Sequence, residues 1–544
     1  MSGTIGIRYS GAASSARPQS GSDVEGFLVM SDRAVGLAPA ARLSHEQRRL
    51  LIGICIMIAA VSMAPSTYNF VLNPIVEGLG GSQTEEDLLR QLPSIAALLV
   101  IFLASTLGGR IGQRRLIFIG SFVLTFGCLV VTVAPTLPVA TAGLIFISAA
   151  SSTLAVVGLG LLSSRIVDPA ARATAFASYA LVAPIVYMAL PVLAGYLLDH
   201  RSWRLVTTTW IIGALALIWG VWRYFPRDDE SRDSGELATP ILAGLTLAAG
   251  VQTITAINNS GLASTPALVR VAVTIASAIA LAWCYHRSAR PSISTAALKH
   301  GGMLVLLVVV IVVPFVNLWF YLTLGYQYVF GMTAAQTAVL MVPPQLAGVV
   351  GALIARRFIQ QRGITLTGVV MLIGLAVTLL LTLLIAVESP IWLVVAIMAL
   401  YALTSVGASV PITNAIMNTA PLGEEGSASA FRGASIHIGT ALGVVIMSTI
   451  VYSAAAASLT QSLGSEGLAS SQSAQIAESI RSGTSADQAS SIYAVPVEDV
   501  EQIESAQQYA MVDGLHAHGL AGAVFIGAAA AIFWFARRRH SSLD

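Results

Sequence analysis

Residues 303–313 read Met303-Leu304-Val305-Leu306-Leu307-Val308-Val309-Val310-Ile311-Val312-Val313, an unbroken apolar run. The apolar stretch extends over 302–325, and at about 1.5 Å per residue that length crosses a hydrocarbon core of about 30 Å. It is continuous rather than alternating, which excludes the strands of a closed barrel and reads as a membrane-spanning helix. Runs of the same kind recur along the chain. Spans fall near 50–73, 90–108, 115–134, 138–162, 174–197, 204–223, 238–256, 266–285, 302–325, 334–354, 365–386, 390–415, 430–453 and 517–536, fourteen in all.

Composition agrees. Of 544 residues, 56% are hydrophobic and 10% charged, with a mean hydropathy of +0.78. A soluble domain carries about 25% charged residues, so neither a soluble globular chain nor a disordered one fits. The net charge of +2 gives no footprint for nucleic acid. Cys55, Cys128 and Cys284 each lie in an apolar run, outside any CxxC or Cys/His spacing, so no disulfide framework, metal site or cofactor is expected.

Basic residues orient the spans. Nineteen of the 29 Lys and Arg fall on one set of short loops and flanks, and at most five on the other. By the positive-inside rule the rich set is cytoplasmic, and both termini with it, in a multi-pass protein of the cell membrane. The expected organisation is a disordered tail over 1–44, a six-helix bundle over 45–225 and a charged cytoplasmic linker over 226–237. Two additional helices follow over 238–286, then C-terminal bundle helices over 300–456. A large extracytoplasmic loop over 457–515 precedes the last helix and basic tail, 516–544.

After the second span the chain reads Leu107-Gly108-Gly109-Arg110-Ile111-Gly112-Gln113-Arg114-Arg115. This resembles the cytoplasmic loop motif of the major facilitator superfamily, with Gly109 in place of the family's acid. A related loop, Arg356-Arg357 then Gln361-Arg362-Gly363, follows the tenth span, as a duplicated transporter fold would give. Leu190-Pro191-Val192-Leu193-Ala194-Gly195 and then Ser202-Trp203-Arg204 resemble the family's antiporter motif. Residues 426–443 are similar to the penultimate helix of the fourteen-helix drug:proton antiporters. The resemblance implies an all-α integral membrane protein with two six-helix pseudo-repeat bundles and two extra central helices. It implies gating roles for Arg110, Gly112, Arg114, Arg115, Pro191 and Gly195. For Arg114 and Arg115, topology and anionic-lipid anchoring compete with gating.

All 27 Asp and Glu fall in tails, loops or helix flanks. Embedded acids are costly and mark function, and the family's first-helix Asp-x-Thr pattern is here Pro65-Ser66-Thr67. A carboxylate proton relay is therefore not expected. Arg432 and His437 remain as embedded charge or proton candidates. His437 is either a hydrogen-bonded core histidine, a proton carrier or a substrate contact. Arg432 either holds a substrate anion, pairs with Glu424 or Glu425, or marks the cytoplasmic membrane edge. Tyr68, Asn69, Asn73, Asn317, Tyr321, Gln345 and Asn414 are the uncharged polar candidates for a central path, and helix–helix bonding competes with ligand contact at each.

Together these residues predict a wide, mainly apolar cavity suited to a neutral or amphipathic organic solute. The reading is a secondary exporter working by alternating access, with protons as a candidate coupling ion and membrane lipid around it. A proton-independent facilitator, a lipid-handling transporter and a transport-incompetent scaffold are the alternatives. A membrane enzyme or an ATP-driven pump is not expected, since paired carboxylates, HxxxH and a Walker loop are all lacking.

Overall fold

A computed structural model describes residues 43–80, 83–166, 168–227, 236–288, 292, 298, 302–332, 334–421, 423–465 and 500–538. The tail 1–42 and residues 228–235 of the charged linker lie outside the described residues. Among those described the chain is helical, without strands. The helices are α1 His45–Leu79, α2 Gln83–Ile111, α3 Gln113–Val133, α4 Leu137–Arg165, α5 Pro169–His200, α6 Trp203–Tyr224, α7 Ala238–Ser260 and α8 Thr265–Arg287. They continue as α9 Met303–Phe315, α10 Leu318–Tyr328, α11 Ala334–Leu340, α12 Val342–Leu381, α13 Ile391–Thr419, α14 Glu425–Ser465 and α15 Val500–Arg538.

Local chemistry sets the helix starts. Ser44 and Gln47 form a reciprocal capping box, Ser44 Oγ accepting from the Gln47 amide at 3.2 Å and Gln47 Oε1 from the Ser44 amide at 3.0 Å. Asp168 caps α5, its carboxylate accepting from the Ala171 amide at 2.7 Å, and Pro169 opens the helix where its missing N–H leaves no donor unmet.

Among the described residues thirteen stretches are long and apolar enough to cross a membrane, and the one from Gln336 to Leu384 has 49 residues. A straight helix of that length would exceed a bilayer about twofold. It bends at Gly363, whose φ of 81° and ψ of 170° are non-helical. A Cβ on Gly407 would meet Met371 Sδ at 2.9 Å and the Gly351 carbonyl oxygen at 3.2 Å, so residues 351 and 371 flank one point of α13. The stretch is thus a helical hairpin, and the crossings among the described residues number fourteen.

The ninth crossing is broken. Past Pro314 the backbone leaves helical geometry at Val316 and Asn317, dividing α9 from α10. Tyr401 on α13 serves both freed groups: its hydroxyl donates to the Val316 carbonyl at 2.8 Å and accepts from the Leu318 amide at 3.4 Å.

α14 runs on to Ser465 and α15 begins at Val500, so both extend into the loop drawn over 457–515 from the sequence. The interruption there, 466–499, lies outside the described residues. Asp513 sits on α15, within that earlier loop.

Apolar burial gives no net drive between helices in lipid, so packing rests on close approach. Glycines supply it. A Cβ on Gly351 would lie 2.0 Å from the Leu403 carbonyl oxygen, on Gly439 2.2 Å from that of Ile311, and on Gly244 2.2 Å from that of Leu99. Met57 and Met63 of α1 fill the notches left by Gly158 of α4 and Gly213 of α6. Helix α1 packs on α5 and α6, and α4 on α2 and α3. α12 packs on α13 and α15, and α14 on α9 and α15. α7 and α8 pair with each other, α7 resting on α2 and α14. The outward faces carry Ile212, Trp222, Leu384, Trp392 and Val524, all exposed, as a lipid-facing surface requires.

Gly351→Ala forces α12 and α13 apart and is expected to lose about 1–3 kcal/mol of stability. Gly527 has nothing within 4 Å of its would-be Cβ, so Gly527→Ala is expected to be neutral or about 1 kcal/mol stabilising. Thermal unfolding midpoints of the purified variants check both.

Candidate functional site

One end of the bundle gathers the arginines. Arg49 Nη2 donates to the Arg223 carbonyl at 2.8 Å, joining the start of α1 to the end of α6. Between α2 and α3, Gly112 takes a φ of 95°, a region that L side chains avoid, and reverses the chain there. Arg110 closes α2, while Arg114 and Arg115 enter the first turn of α3.

Near the start of α5, Arg172 is buried among carbonyls. Its Nε donates to the Ile166 carbonyl at 2.8 Å, Nη2 to that of Ser163 at 2.9 Å and Nη1 to Asn418 Oδ1 at 2.6 Å. The first two lie at the C-terminal end of α4, where a cation meets carbonyl groups the helix leaves open. The third reaches the end of α13. Gln360 Nε2 donates to Thr174 Oγ1 at 3.4 Å, and Ser429 Oγ to the Val156 carbonyl at 2.8 Å. Phe102 and Phe431 meet edge to face at 5.5 Å between α2 and α14. These contacts tie α2, α4 and α5 to α12, α13 and α14 near the arginine-rich end.

At the opposite end Arg204 lies over the Trp203 ring at 4.3 Å. Its guanidinium donates to the Thr132 and Ala134 carbonyls at 2.7 and 2.9 Å, where α3 ends.

Between these two ends lies a cavity of about 430 Å³. Ser62 and its neighbours on α1, Phe176, Tyr179, Ala180, Ala183 and Pro184 on α5, and Ser405, Val406, Ser409, Val410 and Thr413 on α13 form its walls. Ala155 on α4 and Arg432 on α14 complete them. The α5 and α13 residues repeat every three or four positions, so each helix offers a single face. Ser405 and Ser409 bond back to the Ala402 and Val406 carbonyls at 3.4 and 2.7 Å, which leaves the lining mainly apolar. Arg432 Nε is buried without a hydrogen-bond partner. Asp and Glu are lacking among the lining residues.

The sequence candidates separate here. Arg432 lines the cavity; His437, one helical turn further on α14, is half-buried and does not. Tyr68 donates to the Leu89 carbonyl at 3.2 Å between α1 and α2. Asn69 and Asn73 belong to α1, and their side chains lie outside those described. Asn317 sits in the break between α9 and α10, and Gln345 is half-buried on α12. Asn414 is 0% exposed on α13, its Nδ2 donating to the Val410 carbonyl at 3.3 Å and its Oδ1 unpartnered. Pro191 is buried inside an unbroken α5, and Gly195 has open space where a Cβ would stand. Thr67, at the position of the family's first-helix acid pattern, accepts from Trp210 Nε1 at 2.9 Å.

Two features escaped the sequence reading. The spacing Ser405, Ser409, Thr413 places three hydroxyls on one face of a span and was a usable signal. Tyr321 meets His518 at a tilt, with ring centroids 4.6 Å apart; His518 is 0% exposed, and neither ring nitrogen has a hydrogen-bond partner. His518 falls at the very start of the span expected over 517–536, whereas α15 begins seventeen residues earlier than that span, at Val500.

The Major Facilitator Superfamily model matches residues 50–472, and the chain belongs to that family. It is an integral membrane protein with the fold of a transporter family whose members are generally not enzymes. It is 24% identical over 322 residues to the major facilitator superfamily multidrug transporter mfsC of Aspergillus fumigatus, a match over 58% of this chain and 60% of that one. It is 27% identical over 195 residues to the riboflavin transporter RibZ of Clostridioides difficile, covering 35% and 41%. The matches thus span less than two thirds of either curated relative. The fold is similar to that of the human organic anion transporter MFSD10 (TETRAN), with a TM-score of 0.58 at 10% identity over 90% of this chain and 99% of that one.

Arg172→Met keeps the aliphatic stem but strips donors from the Ser163 and Ile166 carbonyls and from Asn418. A loss of about 2–4 kcal/mol is expected, read as a lowered unfolding midpoint.

Proposed function

We propose that the chain carries an amphipathic organic solute across the cell membrane by alternating access, as a secondary exporter with the 430 Å³ cavity as its binding site. The observation that supports this is the cavity's place in the fold: its walls come from α1, α4 and α5 on one side and α13 and α14 on the other. In this reading α1–α6 and α9–α15 are the two halves that rock about it, and α7 and α8 are the additional pair. The cavity size suits a drug-sized molecule, and the few hydroxyls would orient rather than select it.

With the arginine-rich end cytoplasmic, the Arg172–Asn418, Gln360–Thr174 and Ser429–Val156 bonds are cytoplasmic closures. They must break for the cavity to open inward. Arg110, Gly112, Arg114 and Arg115 shape the neighbouring loop and stand where they would guide that motion. Pro191 and Gly195 mark the part of α5 beyond the cavity wall.

Because the described lining residues include no carboxylate, a proton relay through acids has no support in the cavity. His437 and His518 are the embedded ring groups available for proton coupling. A proton-independent facilitator is the second reading that this lining favours.

The test is flux of a panel of anionic, neutral and cationic amphipathic dyes in proteoliposomes, with and without a pH gradient. At least one dye is expected to move, and Ala180→Trp, which fills the cavity, is expected to slow it about tenfold or more. No flux for any dye, or full flux through Ala180→Trp, contradicts the reading.

A further inference from the structure

Arg172, Arg204 and Arg432 differ in what their donors meet. Arg172 spends its donors on two carbonyls and an amide, and Arg204 on two carbonyls. Arg432 Nε is buried with no acceptor, and no carboxylate among the described residues forms an ion pair with it. Glu425, seven residues earlier on α14, lies at the helix start and within electrostatic reach of Arg172. A guanidinium stays charged and has five donors and no acceptor. A buried cation without a counter-charge is unfavourable unless something supplies one.

The cavity is where that something would sit. Arg432 stands in its wall, the aromatic residues Phe176 and Tyr179 lie on the α5 side, and apolar Val406 and Val410 line it from α13. The arrangement is one charged donor against an apolar slot.

We propose that the solute carried is an organic anion, its sulfonate, carboxylate or phosphate group seated on Arg432 and its apolar body between α5 and α13. This rests on the transport reading above and adds to it the charge and polarity of the cargo. Two oxygens of a carboxylate, sulfonate or phosphate can take two guanidinium donors at once, which positions the group as well as holds it. The bound anion then neutralises the cavity, so the loaded carrier presents no net charge at that depth.

The test uses two probes of one skeleton, 8-anilinonaphthalene-1-sulfonate and the uncharged N-phenyl-1-naphthylamine. Saturable binding of each to the full-length protein in nanodiscs is measured over empty nanodiscs. The wild type is expected to bind the sulfonate about 10- to 100-fold more tightly than the amine, the worth of a charge-assisted contact. Arg432→Gln is expected to abolish that preference while retaining amine binding, and Arg432→Lys to restore part of it. Equal affinity for the two probes in the wild type, no saturable sulfonate binding, or an unchanged preference in Arg432→Gln overturns the proposal. Ala180→Trp separates the two readings. If it abolishes transport while the wild type binds both probes alike, the cavity stands and the anion falls. If it leaves flux and sulfonate binding intact, the cavity itself is not the site, and the proposal falls with it.

Discussion

Inside hydrocarbon a peptide N–H or C=O finds no water, so each must be satisfied by the chain itself. Helices follow from that, and so does the manner in which they are joined. Lipid gives apolar side chains no reason to prefer each other, and backbones must come close enough for dispersion to hold them. The glycine contacts at 351, 439 and 244 are the local form of this rule: in each, a carbonyl of the neighbouring helix occupies the space of a side chain. Where a helix breaks, at Asn317, the same rule demands a partner, and Tyr401 is placed to serve both freed groups.

Electrostatics divide the interior in the same spirit. Cations at helix ends are met by carbonyls, as Arg172 is by α4 and Arg204 by α3. Arg432 instead faces a cavity whose walls are aliphatic, aromatic and hydroxylic. The contrast separates Arg172 and Arg204, whose donors end on carbonyls and an amide, from Arg432, whose buried Nε has no acceptor in the cavity wall. The Asn418 bond adds a mechanical element, since the residue that closes α4 also reaches across to α13.

The fold was largely legible in the sequence because hydropathy reports directly on the lipid environment. Fourteen runs, two arginine-bearing loops and a glycine at 363 anticipate the crossings, including the hairpin hidden within one 49-residue apolar helix. The helix ends were less legible. α14 and α15 project beyond the apolar runs into polar sequence, and hydropathy cannot register a helix that leaves the bilayer, which is how His518 escaped notice. The binding face was harder still. Asn317, Gln345 and Asn414 stood out as polar groups in apolar surroundings, yet the cavity walls are built mostly from Ala, Val, Ser and Pro, which any span contains. Only the three-dimensional pairing of α5 with α13 makes them a site, and that pairing joins positions more than two hundred residues apart.

The most direct test of alternating access at this cavity is labelling of Ser409→Cys, with Cys55, Cys128 and Cys284 first replaced by Ala. A membrane-impermeant maleimide is applied to one face of oriented vesicles at a time. The account predicts that Ser409→Cys reacts from each face, while Trp392→Cys on the lipid-facing surface gives no such two-sided labelling. Protection of Ser409→Cys from both faces, or reaction only with a lipid-soluble maleimide, would contradict it.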